Sequence, residues 1–181
     1  MISSKVSKRY ARALFSLGQQ DGNLERYGKD LREFSGFCRE HGEFRNAITN
    51  RVFPLDERRH LLHLVLEKNS YSEVVKNFLN LLLEKDRIGA IEGITSYYER
   101  LMDDFSNIAR AEVLIPRPLE EDLQEGLVKA LESLTSKVIK LEVKEDKELV
   151  GGVVVRIGDL VLDGSVKAQL EGLKESLKRG E

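Results

Sequence analysis

The 181-residue sequence has a single cysteine, Cys38, and no apolar run long enough to cross a membrane. One cysteine excludes an internal disulfide and is typical of a reducing compartment. The densest apolar run, residues 79–83, is interrupted by Asn80, whereas a membrane-spanning helix needs about 20 apolar residues. The first 20 residues lack the apolar centre of a secretory signal, and an ordinary helix explains them better than a basic transit peptide. We therefore expect a chain that does not itself span a membrane.

The sequence has no large excess of charge of either sign. Its 29 lysines and arginines nearly balance 31 aspartates and glutamates, for a formal net charge of −2. Nucleic acid or anionic lipid would therefore have to bind a local patch, because the overall field attracts neither. With 41% hydrophobic and 33% charged residues, the composition is that of an ordinary globular protein. We expect no nucleic-acid partner.

Residues that could form a catalytic or metal site are poorly arranged. Glu57, His60 and His63 recur every three residues, but a catalytic zinc helix needs two histidines four residues apart and a third ligand elsewhere. Cys38 lies near His41, yet no third group orients the imidazole, so Cys38 is interpreted as a small apolar residue of a helix. The sequence predicts no catalytic residue, no metal and no cofactor. A metalloenzyme built on His60 and His63 is the weakest alternative.

Apolar residues recur at helical spacing up to about residue 105, a pattern typical of a helix bundle. Asn23 is the predicted N-cap of the second helix, and Pro54 marks the start of the fourth. Ser70 and Glu73 form a predicted capping box for the fifth helix. The six predicted helices cover residues 4–19, 24–41, 43–49, 54–68, 70–84 and 91–105.

The pattern changes after Asn107. Apolar residues occupy every second position from Ala109 to Ile115, which predicts a strand. Gly158-Asp159 lies between two apolar runs and predicts a tight hairpin turn. Asp163 is the predicted cap of a final helix. The other predicted elements are a helix with leucines from Leu119 to Leu134, strands at 139–143, 150–157 and 160–162, and the final helix at 166–177.

We therefore expect an α+β fold that is mainly α, with an N-terminal six-helix bundle and a small α/β C-terminal domain. The predicted domains are residues 1–105 and 106–181. The charged residues also divide at this boundary, with 17 basic and 16 acidic residues before it and 12 and 15 after it. Two small domains with separate cores are the simplest interpretation.

The fifth predicted helix carries more apolar residues than one buried face requires. Such a helix either packs at the centre of a bundle, which we favour, or exposes an apolar surface to a partner. The first helix also carries an apolar row that includes Tyr10 and Leu17. The apolar residues of the fifth helix are Val74, Val75, Phe78, Leu79, Leu81, Leu82 and Leu83.

Several motifs, taken in their order along the chain, resemble the delta subunit of F-type ATP synthases, the bacterial relative of the mitochondrial oligomycin-sensitivity-conferring protein. Residues 9–15 are similar to the family's opening helix, and residues 77–91 to its fifth and sixth helices. Residues 141–166 resemble its long C-terminal signature, so the resemblance covers nearly the whole chain. Asp86 departs from the pattern, because glycine or asparagine is expected there. The signature residues with an expected structural role are Gly151, Gly152, Gly158, Asp159, Asp163, Gly164 and Ser165.

The resemblance implies a non-catalytic stator subunit, present in one copy, that links the top of the catalytic head to the peripheral stalk. The first domain would bind an amphipathic N-terminal helix of an alpha subunit between helices one and five, and the second would bind the b subunits. The implied location is the cytoplasmic face of the bacterial inner membrane, with membrane association only through the complex. Carried over by position, the groove residues would be Tyr10, Ala13, Leu14, Leu17, Val75, Phe78, Leu79 and Leu82.

A free-standing helical adaptor or regulatory protein, unrelated to ATP synthesis, is the alternative function. Its binding domain would show the same apolar excess on the fifth helix. Copurification with a membrane-bound ATPase distinguishes the two, because only a stator subunit should travel with the complex.

Overall fold

The computed structural model describes residues 5–117 and 121–179. The chain divides into two compact units, residues 1–102 and 103–181. The described residues are mainly helical and contain one four-stranded sheet, which confirms the predicted mainly α fold class. None of the helices in the described ranges is long and apolar enough to cross a membrane.

Among the residues that the structure describes, six α-helices precede the sheet along the chain. They begin and end close to the predicted positions, and a 3-10 turn at Ile88–Ala90 precedes the sixth. Ser4, the predicted start of the first helix, lies outside the described residues. The helices are α1 (Lys5–Asp21), α2 (Leu24–Glu40), α3 (Gly42–Thr49), α4 (Leu55–Lys68), α5 (Glu73–Glu84) and α6 (Ile91–Phe105).

The core of the N-terminal unit forms where the apolar rows of these helices meet. Tyr98 of α6 is fully buried, and its ring packs edge to face against that of Phe15 with the centroids 5.6 Å apart. Its hydroxyl donates a 3.0 Å hydrogen bond to the carbonyl oxygen of Leu24. A buried hydroxyl without a partner is costly, so this bond allows a tyrosine at the centre of the core. The other large side chains of this core include Leu14, Leu31, Phe34, Ile48, Leu62, Leu66, Leu79, Leu82, Leu83, Ile88 and Ile94.

The two predicted helix caps have different outcomes, because Asn23 is the N-cap residue of α2 as predicted, whereas the predicted cap of α5 is wrong. The side chain of Asn23 makes no capping hydrogen bond, and its amide instead donates to the carbonyl oxygen of Asp21. Helix α5 begins at Glu73 with Ser72 at the N-cap, so the capping box predicted from Ser70 is not formed. Ser72 uses both its backbone N–H and its hydroxyl as donors to the carboxylate of Asp30, at 2.8 and 2.7 Å. A buried carboxylate of α2 thus anchors the start of α5.

We expect Asp30→Ala to destabilise the N-terminal unit by about 1–3 kcal/mol, because two buried donors of Ser72 lose a charged acceptor. Urea unfolding followed by far-ultraviolet circular dichroism measures the change. Glu33→Ala is the matched control, since Glu33 lies one turn away on α2 and forms an exposed ion pair with Lys29 at 3.7 Å. Exposed pairs contribute under about 1 kcal/mol. Equal stability of the two variants would contradict the anchoring role.

The C-terminal unit is built on a sheet with strand order β2-β1-β3-β4. Strand β1 is central: it pairs in parallel with β2 and antiparallel with β3, and β3 and β4 form a hairpin. The predicted position Leu119 lies outside the described residues. The elements are β1 (Ile108–Ile115), α7 (Glu121–Thr135), β2 (Val138–Glu145), β3 (Val154–Ile157), β4 (Leu160–Asp163) and α8 (Val166–Arg179).

The two faces of this sheet differ in chemistry. Alternate residues of β1, from Ala109 to Ile115, are buried with Leu131 of α7. Two of the three residues between them, Arg110 and Glu112, carry charge, and Glu112 forms ion pairs with Lys144 and Arg156. The hydrogen bond from Lys144 holds the pKa of Glu112 below its usual value. The alternation gives the sheet one face for the core and one charged face.

The first half of the predicted strand at 150–157 is wrong. Residues 150–153 form a loop, and β3 begins at Val154. The reason is that the loop's carbonyl groups bond to the segment that leads into α8: Val153 accepts from the N–H of Gly164 at 2.9 Å, and Gly151 accepts from Val166 at 3.0 Å. The backbone here supports the start of a helix and not a strand ladder.

Candidate helix-binding surface and C-terminal signature

The predicted groove residues of α1 and α5 divide into a buried set and an accessible set. The first set is at most 1% exposed and belongs to the core of the N-terminal unit, where a ligand cannot touch it in this conformation. Phe78 is also buried in this core, at 8% exposed, and Tyr10 is a partly buried side chain that packs against it. Ala13 and Leu17 are exposed. A partner helix could therefore contact fewer residues than the predicted groove contains. The buried set is Leu14, Val75, Leu79 and Leu82.

Tyr10 and Phe78 mark the line where α1 and α5 meet. Their rings pack edge to face, with the centroids 6.3 Å apart. Residues three, four and seven positions apart share a helix face, so each helix adds further apolar side chains beside its ring. We call the resulting set the α1–α5 surface. It consists of Tyr10, Ala13 and Leu17 of α1 and Val74, Phe78 and Leu81 of α5.

Val74 and Leu81 are the two members of this surface that the residues carried over by resemblance omitted. Leu81 is 42% exposed, close to the 48% of Leu17 on the other helix. Both residues were part of the apolar excess of the fifth helix. Their spacing from Phe78, four positions before and three after, was the signal that could have placed them beside it.

A basic rim borders the α1–α5 surface on the side of α1. The guanidinium carbon of Arg9 lies 5.3 Å from the ring centroid of Tyr10. Lys8 and Arg12 lie over the ring of Tyr97, and Arg12 donates a 3.0 Å hydrogen bond to its hydroxyl. Residues 5–20 contain no acidic side chain. The potential along this helix is therefore positive and favours a partner that carries acidic residues.

Glycines of the C-terminal signature allow two backbone segments, residues 150–153 and 164–166, to approach closely. Gly152 has φ +87°, and a Cβ there would lie 2.8 Å from the Cα of Ser165 and closer still to the carbonyl oxygen of Gly164. Only glycine, which has no Cβ, fits this position without displacing the backbone. Gly158 has φ +58° and begins the two-residue turn with Asp159 that joins β3 to β4, as predicted.

The sequence predicts Asp163 as the cap of α8, but the capping residue is Ser165. The hydroxyl of Ser165 accepts a 3.1 Å hydrogen bond from the N–H of Ala168, in the first turn of the helix. Asp163 acts one step earlier, because its carboxylate accepts the N–H of Ser165 at 2.9 Å and so orients the capping residue. This backbone hydrogen bond lowers the pKa of Asp163 below its usual value. The signature residues thus position the start of α8.

Asp86 explains why its position favours glycine or asparagine. Its φ is +53°, in the left-handed region that few other side chains adopt. Its carboxylate accepts a 2.9 Å hydrogen bond from the buried guanidinium of Arg58, which lowers the pKa of Asp86. The substitution therefore keeps the turn and adds an ion pair.

The candidate catalytic groups do not come together. His60 and His63 are exposed on α4, and within residues 5–117 and 121–179 no cluster of His, Cys, Asp and Glu could hold a metal ion. Cys38 is buried in the core, as its interpretation as an apolar residue required. Burial raises the pKa of its thiol to about 11, which disfavours the thiolate that a nucleophile needs.

A helical unit with a basic first helix is followed by a sheet whose glycine signature leads into the last helix. One known protein family matches the chain across both parts. Residues 6–177 match the family model described as ATP synthase delta (OSCP) subunit. The chain belongs to this family. The match includes both the α1–α5 surface and the complete C-terminal signature, so the two features are part of one family's fold.

Curated relatives of the family match over nearly their whole length. The ATP synthase subunit delta of Desulfosudis oleivorans is 40% identical over 97% of this chain and 96% of its own. That of Syntrophobacter fumaroxidans is 41% identical over the same shares. A chain in the structure of the Toxoplasma gondii mitochondrial ATP synthase hexamer has a TM-score of 0.69 at 18% identity, over 96% of this chain and 98% of that one. The fold of this family member is therefore that of a chain found in an assembled ATP synthase.

Proposed function

We propose that the protein is the non-catalytic stator subunit that links the catalytic head of an F-type ATP synthase to its peripheral stalk. The family match over residues 6–177 is the observation that carries this function. The torque of the rotor would turn the head as well unless the stalk held it, so a linker must bind at two ends. Two compact units, each with its own core and its own exposed apolar surface, suit that task.

The N-terminal unit, a six-helix bundle in this proposal, binds the head through the α1–α5 surface. The partner is the amphipathic N-terminal helix of an alpha subunit. A helix that lies against two others offers anchors at spacings of three, four and seven residues. Leu17 and Leu81 are half exposed and would be buried by such a helix, while Arg9 and its basic neighbours would attract acidic residues at its edge.

The C-terminal unit binds the b subunits of the peripheral stalk. In this arrangement one copy of the protein works in each complex, at the cytoplasmic face of the bacterial inner membrane, and it reaches the membrane only through the complex. Copurification tests this part directly, because a tagged chain should recover the membrane-bound ATPase. A tagged chain that recovers other proteins and no ATPase would identify an adaptor.

We expect Leu17→Glu and Leu81→Glu each to weaken binding of a synthetic peptide of the alpha subunit's N-terminal residues by at least about tenfold. A carboxylate that loses water against an apolar helix costs more than about 1.4 kcal/mol, which is a factor of ten in affinity. Both side chains are half exposed, so the fold should tolerate the change. Isothermal titration calorimetry measures the affinity, and circular dichroism checks the fold.

Leu64→Glu on α4 is the matched control for this experiment. Leu64 is 45% exposed, almost the same as Leu17 and Leu81, but it is not part of the α1–α5 surface. We expect its peptide affinity to equal that of the wild type. If all three variants bound the peptide equally well, the α1–α5 surface would not be the site.

A further inference from the structure

Helix α8 presents an apolar row that the rest of the described C-terminal unit does not cover. Its members are 40–68% exposed, and no α8 residue belongs to either hydrophobic core of the described chain. The steps between them are four, three and four residues, the alternation of a and d positions in a coiled coil. We call them the α8 row: Val166, Leu170, Leu173 and Leu177.

The two edges of the α8 row differ in charge. Lys167 and Lys174 follow row residues directly and lie on one edge of the helix, and Glu171 lies behind them, further from the row. Gln169 and Ser176 occupy the opposite edge and carry no charge. In paired helices the residues beside the apolar row select the partner through their charges. A partner helix should therefore place acidic side chains along the lysine edge.

We propose that α8 pairs lengthwise with one amphipathic helix of the peripheral stalk, whose acidic side chains face Lys167 and Lys174. The inference rests on the proposed function, which supplies the stalk as the source of the helix. It adds the surface, the mode of contact and the charge of the partner. The signature residues acquire a role here, because Asp163, Ser165 and the close approach at Gly152 set the point from which α8 leaves the sheet.

A second copy of the chain fits this surface less well than a stalk helix does. In an antiparallel pair of α8 helices the lysine edges would face each other and repel. In a parallel pair each lysine edge would face Gln169 and Ser176 and gain no ion pair. The row also spans only about 16 Å at 1.5 Å per residue, which is too short for a stable isolated coiled coil.

The short α8 row is sufficient to bind a stalk helix if the N-terminal unit of the same chain is already bound to the head. Once the N-terminal unit is bound to the head, pairing of α8 with the stalk becomes an intramolecular step of the complex. Linked sites act at effective concentrations near millimolar, so a modest contact becomes effectively permanent. Pairing through lysines also predicts that binding weakens as salt is raised.

The experiment measures binding of the full-length chain to the purified soluble segment of the same organism's b subunits by titration calorimetry at low and high salt. Lys167→Glu with Lys174→Glu should weaken binding at least about tenfold and remove most of its salt dependence. Lys129→Glu with Lys147→Glu is the control, because it changes the net charge equally at exposed positions on α7 and in the turn after β2. We expect the control to bind like the wild type.

A second variant tests the apolar row itself. Leu170→Glu with Leu173→Glu replaces two exposed side chains and should abolish binding while circular dichroism and the affinity for the alpha-subunit peptide stay unchanged. Three outcomes would overturn the inference and leave the stator function intact. The leucine variant could bind the b segment with wild-type affinity, or the two lysine double variants could lose the same affinity. The third outcome is a wild-type dimer that the leucine variant dissociates. A wild-type chain that bound neither the alpha peptide nor the b segment would overturn both.

Discussion

Replacing Leu79 and Leu82 together by glutamate is expected to unfold the N-terminal unit. Both side chains are 0% exposed and lie in the core with Leu14 and Val75. Removing a buried leucine side chain costs about 2–5 kcal/mol, and a carboxylate without a partner adds a desolvation cost. Two such changes equal or exceed the whole stability of a small domain, about 5–15 kcal/mol. Far-ultraviolet circular dichroism should show a large loss of helix.

The double variant Leu17→Glu with Leu81→Glu is the control for this result. It also introduces two carboxylates, one on α1 and one on α5, but at side chains that water already reaches. It should keep its helix content and its melting temperature within a few degrees, and lose the alpha-subunit peptide. A Leu79 and Leu82 variant with a wild-type unfolding transition would show that the core assignment is wrong.

The sequence predicted the apolar excess of α5 but not where its buried face ends. Periodicity shows which residues share a face, and Val75, Leu79 and Leu82 follow that face. The boundary depends on which helix packs alongside, and the contact between Tyr10 and Phe78 joins residues far apart in the chain. Leu81 therefore looked like core in the sequence and is on the surface in the fold.

Caps were the least predictable part of the helical unit for the same reason. Local rules favoured Ser70 with Glu73, whereas the fold uses Asp30 of another helix to hold Ser72. A local pattern cannot reveal an acceptor that is supplied 42 residues away. In the C-terminal unit the local signals were stronger, since Gly158-Asp159 and Gly152 have backbone conformations that follow from glycine itself.

Gly152→Val is expected to destabilise the C-terminal unit by about 3 kcal/mol or more. A side chain at φ +87° is strained, which costs about 1–3 kcal/mol, and its Cβ would overlap the backbone of Gly164 and Ser165. Backbone cannot turn aside as a flexible side chain can, so the loop at 150–153 must move away from the start of α8. That movement breaks the hydrogen bond from Val166 to Gly151. Thermal unfolding should shift to lower temperature, and binding of the b segment should weaken while the alpha-subunit peptide still binds.

Gly158→Ala separates the two causes of this loss. Gly158 has a similar positive φ, +58°, but a Cβ there would meet nothing within 4 Å. Replacing Gly158 by alanine should therefore cost only the strain of a side chain at positive φ, about 1 kcal/mol of unfolding free energy, and leave α8 in place. If Gly152→Val were no more destabilising than Gly158→Ala, the close approach to Gly164 and Ser165 would not constrain the fold. If Gly152→Val were the more destabilising but kept full affinity for the b segment, the signature would stabilise the unit without positioning α8 for its partner.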